Sequence, residues 1–368
     1  MSEEAKKTEY AELDKNMIVE TVFPDAEDAV LHSVREEVFD LYNFYEPRTS
    51  ELFVRMPADT ARAASEKVYR LSRETAGGRV RFTTDSKYLL LKAVEPSVGR
   101  NSHITLASSA VFDVYADTDS GSRFIGTFMP PYKMDHGYEQ IVRFPDRKTR
   151  SFTVNFPVHS TVSELYFGIE PGAFLGHGRP YRDIAPIVVY GSSIVHGTAA
   201  TRPGLVYTNI LSRRLGADVV NLGFSGNAKA EPAMMEYVAG LEMSVFVYDY
   251  DYNAPNPDYL RATHLAGYRT VREKNPDLPI ILVSKPNIYT RPQDGLVRRD
   301  IISDTFRAAR AEGDRRIWFV DGESFFHGRL EDECTVEGVH PNDLGFVLMA
   351  DGIEAVIRRA LNAAGIGV

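Results

Sequence analysis

The chain has 368 residues, 43% of them hydrophobic and 25% charged, which is the composition of a folded globular protein with ample material for a core. Its length suits about two domains. A formal net charge of −9 excludes the concentrated basic surface that phosphate backbones demand, so no nucleic-acid partner is expected.

The first residues, MSEEAKKTEYAELDKN, are charged throughout and lack the apolar stretch of a secretory signal. Residues 1–20 are read as a polar N-terminal segment. No run approaches the ~18 apolar residues of a membrane-spanning helix. Cys334 is the single cysteine, which excludes an internal disulfide framework and any multi-cysteine zinc site. A cytoplasmic protein, with no membrane partner, is the expectation.

From 21 to 178 the chain carries short stretches rich in Val, Ile, Thr, Phe and Tyr: ELFVRMP, GRVRFTTDSKYLLLKAV, HITLASSAVFDVYADT, SRFIGTFMP, YEQIVRFP and RSFTVNFPVHSTVSELYFGIEP. Turn residues such as Gly77-Gly78 and ADTDSGS separate them. Val80 and Phe82 alternate onto one face. Strands at this spacing, without a long helix, predict an antiparallel β-sandwich. The stretch EDAVLHSVREEVFDLYN shows a mixed pattern and is left unassigned.

Gly and Pro cluster at 172–183, and the pattern then changes to apolar strand followed by helix, repeated through 183–368. Strands are expected at 187–190, 219–222, 245–248, 280–283 and 317–320. Helices should lie in LVYTNILSRRLG, EPAMMEYVAGL, PDYLRATHLAGYRTVREKN, LVRRDIISDTFRAARAEG and a closing amphipathic stretch from 342. This is the grammar of a parallel sheet covered on both faces, a three-layer α/β domain. Ligands in such sheets bind beyond the carboxyl ends of the strands.

Four of these exits carry chemistry-bearing residues. The first strand runs into Gly191-Ser192-Ser193, where a hydroxyl lifted off a buried strand can act as a nucleophile. Spacing alone does not choose between the two serines, and the stretch fits neither G-x-S-x-G nor a nucleotide-binding glycine motif. The second exit, NLGFSGNAK, supplies Gly226, whose backbone N–H can approach a substrate. The third, YDYDYNAPNP, supplies Asn253, a side-chain amide donor. Before the last helix, VEGVHPNDLGF places His340 three residues after Glu337, within reach of a carboxylate that fixes its tautomer. No H-E-x-x-H or similar spacing is present, and Asp249 and Asp251 lack the rest of a calcium loop. Neither a metal nor another cofactor is expected.

In this order the four blocks resemble the SGNH, or GDSL-type, hydrolase superfamily, and most closely a subgroup that carries YGSSI, a following RPG, NLGFSGN and GVHPND behind a β-sandwich. VFDVY at 111–115 is similar to that sandwich's G-x-D-L-Y stretch. The resemblance implies Ser193 as nucleophile, with Ser192 beside it where the superfamily more often has Asp. It implies His340 as base, and Ser193, Gly226 and Asn253 as oxyanion donors. Glu337 stands where Asp is usual; some members work with a Ser–His dyad. His196 and Arg202 are carried over as substrate-binding candidates. The implied activity is a serine esterase removing a small acyl group, such as acetyl from a carbohydrate, with the sandwich shaping the site. The alternative is an acyltransferase using a thioester donor. A small-molecule or carbohydrate ester is the expected partner.

Overall fold

The computed structural model describes residues 18–290, 292–328 and 330–367. All but the last three residues of the polar segment read at 1–20 lie outside them. The antiparallel half contains β1 (Val30–Ser33), β2 (Asp40–Tyr42), β3 (Arg79–Thr84), β4 (Tyr88–Val94), β5 (Ser97–Val98), β6 (Phe112–Thr118), β7 (Gly121–Phe128), β8 (Gly137–Arg143), β9 (Arg150–Asn155), β10 (Ser160–Thr161), β11 (Glu164–Ile169) and β12 (Leu175–His177). One sheet has the order β1-β11-β4-β8; the facing sheet has β12-β3-β9-β6-β7, with β2 also paired to β3. Val80, Phe82, Phe112 and Phe152 from one sheet and Leu89, Leu91, Leu165 and Phe167 from the other fill the space between them. The result is the expected sandwich.

Three short helices interrupt it: α1 (Ala58–Ala64), α2 (Glu66–Ser72) and α3 (Leu106–Ala110). The α3 segment was expected to be strand, but Thr105 caps it by accepting from the Ser108 N–H at 3.1 Å, which turns LASSA into one helical turn. ELFVRMP also departs from expectation. Only Val54 makes a β-bridge, to Tyr45. The unassigned stretch near the start supplies β1 and β2.

The second half alternates as expected: β13 (Ile187–Gly191), α4 (Ser193–His196), α5 (Tyr207–Leu215), β14 (Val219–Gly223), α6 (Pro232–Ala239), β15 (Val245–Asp249), α7 (Pro257–Lys274), β16 (Ile280–Val283), α8 (Pro292–Ala311), β17 (Ile317–Val320), α9 (Glu323–Phe326) and α10 (Asp343–Ala363). The sheet is parallel in the order β14-β13-β15-β16-β17. Ile187 and Val189 point to the α5 and α10 layer, Val188 and Tyr190 to the α6 and α7 layer. Because both faces are covered, the strands are runs of largely apolar residues rather than alternating ones, with Asn221 in β14 and Asp249 at the end of β15 as buried polar exceptions. Neighbours on both sides of β13 put the point where strand order reverses at its exit.

β14 is an edge strand, and its outward backbone groups are met by side chains of the antiparallel half. Asn43 Oδ1 accepts from the Asn221 N–H at 2.8 Å. Arg79 donates to Val219 O at 3.0 Å. Arg55 donates to Asn221 O at 3.1 Å and Gly223 O at 2.8 Å, and reaches back to Leu71 O at 2.7 Å and Glu74 O at 2.8 Å. Met56, Ala61 and Val68 join the core beneath the α6 and α7 layer. The two halves therefore share a polar seam and an apolar one.

Arg55→Met keeps the stem and removes the fork, stranding four buried carbonyls at about 1–3 kcal/mol for each that water does not reach. Urea unfolding should place the variant at least about 2 kcal/mol below wild type; a loss under about 0.5 kcal/mol would show that water replaces the guanidinium.

Candidate active site

Ser193 is the first residue of α4, directly beyond β13, and only 9% exposed. The hydroxyl of Ser192 turns back to accept from the Ile194 N–H at 3.2 Å, capping the helix, and is fully buried. Ser193 Oγ instead lies 2.9 Å from His340 Nε2. The two serines are thus separated by geometry, one spent on the backbone and one aimed at an imidazole. A helix's first N–H groups have no intrahelical acceptor, which leaves the Ser193 N–H free to face a ligand.

His340 sits in the loop before α10. Glu337 Oε1 lies 2.5 Å from His340 Nδ1 and accepts from the His340 backbone N–H at 3.1 Å. Its longer arm is accommodated because the chain curls back: Gly338 has φ +85°, a left-handed turn that favours glycine, and the Val336 N–H bonds His340 O at 2.9 Å. With Nδ1 donating to Glu337, Nε2 is the acceptor for the serine proton. Burial lowers the His340 pKa below the ordinary imidazole value; Glu337 opposes this, while His103 and His159 add to it. The His103 ring stacks on His340 at 5.3 Å between centroids.

Gly226 lies in the turn after β14 with φ +70°, and a Cβ there would meet no heavy atom within 4 Å, so the turn presents bare backbone to open space. Asn253 ends the single turn after β15. Its Oδ1 accepts from the Ala228 N–H at 3.1 Å, which ties the two exit loops together and leaves the NH₂ as the group available to a ligand. Ser193, Gly226, Asn253 and His340 all line one cavity of about 450 Å³, of ordinary size for a small-molecule site. A second cavity of about 390 Å³ shares Gly226, Tyr252, Asn253 and Val339 with it and extends to Lys285 and Arg298.

The opposite wall of the first cavity comes from the antiparallel half: Glu74, Asn101, His103 and His159. No sequence motif marks these residues. The available signals were weak ones, a glutamate just after α2 and a histidine between two strands, and neither lies near Ser193 in sequence.

His196 and Arg202 take other positions. His196, the last residue of α4, is fully buried; its Nε2 donates to Val158 O at 3.1 Å, and burial pushes its pKa down to about 4. Arg202 donates to Asp113 Oδ2 at 2.6 Å, with its guanidinium 4.0 Å from the Phe124 ring centre. Asp113, the acid of VFDVY, is fully buried and also accepts from the Gly204 N–H at 2.8 Å and from Asn155 Nδ2 at 2.7 Å. Neither His196 nor Arg202 lines the cavity. Both join the two halves, because a buried imidazole and a desolvated carboxylate each need a partner from across the seam.

Glu74, His159 and His196 each place one possible metal-ligating atom within 4.8 Å of the others. Their contacts are those of a hydrogen-bonded cluster. Glu74 Oε2 is 3.3 Å from His159 Nδ1 and 3.1 Å from His196 Nε2. Asp249 ends β15 and Asp251 begins the turn after it, and both, weighed above as calcium ligands, are buried; burial pushes Asp249 up to about 8.

Residues 185–358 match the GDSL-like Lipase/Acylhydrolase family, and residues 31–175 match the family described as the N-terminus of the SGNH-hydrolase-type esterase. No curated protein matches. Among solved structures, a GDSL-like lipase from Bacteroides ovatus is 26% identical with a TM-score of 0.82, covering 90% of this chain and 98% of its own. A salicylyl-acyltransferase from a tetracycline biosynthetic pathway is 19% identical with a TM-score of 0.73, covering 93% and 99%. A family two carbohydrate esterase from Clostridium thermocellum, in complex with cellohexaose, is 16% identical with a TM-score of 0.58, covering 78% and 94%. The last two speak for the fold. Two family matches in tandem across one chain, over an α/β/α layer and a sandwich with a serine, glycine, asparagine and histidine at one cavity, place the protein in the SGNH, or GDSL-type, superfamily of carboxylic ester hydrolases, in the branch with a GxDLY N-terminal domain.

Proposed function

We propose that the protein is a serine esterase that removes a small acyl group from a hydroxylated alcohol, such as an acetylated carbohydrate, through an acyl-enzyme on Ser193. The observation that carries this reading is the continuous chain from Ser193 Oγ through both ring nitrogens of His340 to Glu337. His340 Nε2 takes the hydroxyl proton as Oγ attacks the ester carbonyl carbon. The oxyanion is held by the N–H groups of Ser193 and Gly226 and the amide of Asn253. Collapse breaks the bond to the alcohol, which leaves with the proton from His340. Water then attacks the acyl-enzyme, gives its proton to His340, and the serine is regenerated as that proton returns. Glu337 keeps the imidazole in the required tautomer. No metal or cofactor enters these steps.

The antiparallel half, residues 21–178, serves as the substrate-facing wall, and 183–368 as the catalytic domain. An alcohol in place of water would make the same site an acyltransferase. Of the solved structures, the salicylyl-acyltransferase resembles this chain over both halves. We place the protein in the cytoplasm on its single buried cysteine. Among the described residues no helix is long and apolar enough to cross a membrane.

A fluorophosphonate should label wild type and Ser192→Ala but not Ser193→Ala, as read by intact mass; labelling that survives Ser193→Ala would overturn the assignment. Asn253→Ala should slow turnover of 4-nitrophenyl acetate by roughly 100- to 1000-fold, the usual cost of one oxyanion donor. Because His340 acts as a neutral base and its pKa is lowered, activity should be full at neutral pH and fall only once pH drops below the ordinary imidazole range of about 6.5. In Glu337→Gln the acid limb of kcat/KM should move lower still, since the carboxylate that favours the charged ring is gone, and kcat should drop by up to about 10⁴-fold. An acid limb that moves upward would contradict this arrangement.

A further inference from the structure

Glu74 stands in the cavity wall with its two carboxylate oxygens in different circumstances. Oε2 is hydrogen-bonded to His159 Nδ1 at 3.3 Å and lies 3.1 Å from His196 Nε2, whose proton it shares with Val158 O. Oε1 has no hydrogen-bond partner among the described residues. Burial alone would push this carboxyl up, but the two imidazoles outweigh it and hold the group well below the usual carboxylate range. Glu74 is therefore a fixed anion in the lining of the cavity that holds Ser193.

The direction of the hydrogen bonds around it matters as much as the charge. In a neutral His159 whose Nδ1 donates to Glu74, Nε2 is the acceptor, and the Thr198 hydroxyl donates to it across 3.1 Å. The Thr198 proton is thereby committed. Around Glu74 the lining offers acceptors to a ligand: Oε1 of Glu74 and the oxygen of Thr198, in the same cavity as Ser193 and His340. The arrangement is held in place, since Arg55 donates to Glu74 O and His196, the last residue of α4, is fully buried.

An acceptor-rich wall around a carboxylate discriminates by chemistry. A carboxylate or phosphate on the substrate is repelled. An aliphatic chain strips water from the anion and returns nothing. A hydroxyl replaces the lost water with a charge-assisted hydrogen bond.

We propose that Glu74 Oε1, supported by Thr198, is the acceptor that recognises a hydroxyl group on the alcohol half of the substrate, so that the cavity selects polyhydroxylated alcohols over aliphatic ones. This rests on the esterase reading for its turnover arm only. Glu74 is a specificity-determining residue here, and His159 and His196 position it.

The test compares three acetyl esters, a monoacetylated methyl glycoside, butyl acetate and 4-nitrophenyl acetate, in wild type, Glu74→Gln and Thr198→Val. Wild type should prefer the glycoside to butyl acetate. Glu74→Gln should lose about 10- to 100-fold more kcat/KM on the glycoside than on 4-nitrophenyl acetate, the scale of one charge-assisted hydrogen bond. Thr198→Val, which leaves the Glu74–His159 contact in place, should shift the same ratio by a smaller factor and keeps the test open should Glu74→Gln fail to fold. An equal loss on all three esters, or no wild-type preference, overturns the proposal. A second arm uses the Ser193→Ala protein and deacetylated methyl glycoside, followed by ligand-observed NMR. Binding that weakens about tenfold when Glu74→Gln is added supports the site even if wild type cleaves no ester and labels with no fluorophosphonate, an outcome that would sink the esterase reading alone. Absence of glycoside binding, or binding untouched by Glu74→Gln, overturns it. So does stoichiometric zinc binding to wild type that Glu74→Gln abolishes, which would make the cluster a metal site.

Discussion

The buried guanidinium of Arg55 is the fixed point of the molecule. Only 3% exposed, it spends its donors on four backbone carbonyls, two at the end of β14 and two in the segment that carries Leu71 and Glu74. Burial pulls its pKa down to about 10, which still leaves it charged at neutral pH. A lysine could not do this, since one ammonium has three donors and no planar fork to span carbonyls on two segments. The segment that carries Glu74 into the cavity wall is tied to the parallel sheet through this contact. Arg79 and Asn43 extend it along the same edge.

From that seam the division of labour follows. The parallel sheet supplies the groups proposed to react, because three strand exits converge where strand order reverses around β13. Each exit contributes a different kind of group, a hydroxyl, a bare backbone turn and an amide. The histidine arrives from elsewhere, on a loop whose left-handed glycine lets a glutamate fold back under its own imidazole. The antiparallel half adds no element to this set. It adds surroundings: His103 stacked on the base, and a carboxylate held by two imidazoles across the cavity.

The sequence discloses the sheet and its exits because a parallel strand buried on both faces writes a short, uniform apolar run that helix patterns bracket on either side. Ser193, Gly226, Asn253 and His340 were legible for that reason, and Glu337 because it acts at a distance of three residues. What stayed hidden lies across the seam. Glu74 and His159 have no spacing relation to Ser193, and only folding brings them near it. Arg202 was legible as part of a motif but not in its role; its partner Asp113 is in VFDVY, the other motif that stood out, and the two mark a single contact. ELFVRMP has a strand's composition but is held open, because its arginine is needed at the edge of another sheet. LASSA lies within a stretch of strand-like composition, but Thr105 caps it into a helical turn.

A seam made of side chains also has no register. Strands joined by a backbone ladder can slip by one residue and turn every side chain to the wrong face. Here β14 is met by an asparagine and two arginines, each addressing its own carbonyl or amide, so an insertion in a turn of the sandwich is absorbed before it reaches the sheet. The cavity wall from the sandwich can change length and composition while Ser193, Gly226, Asn253 and His340 keep their places. Selectivity in this architecture can drift independently of reactivity.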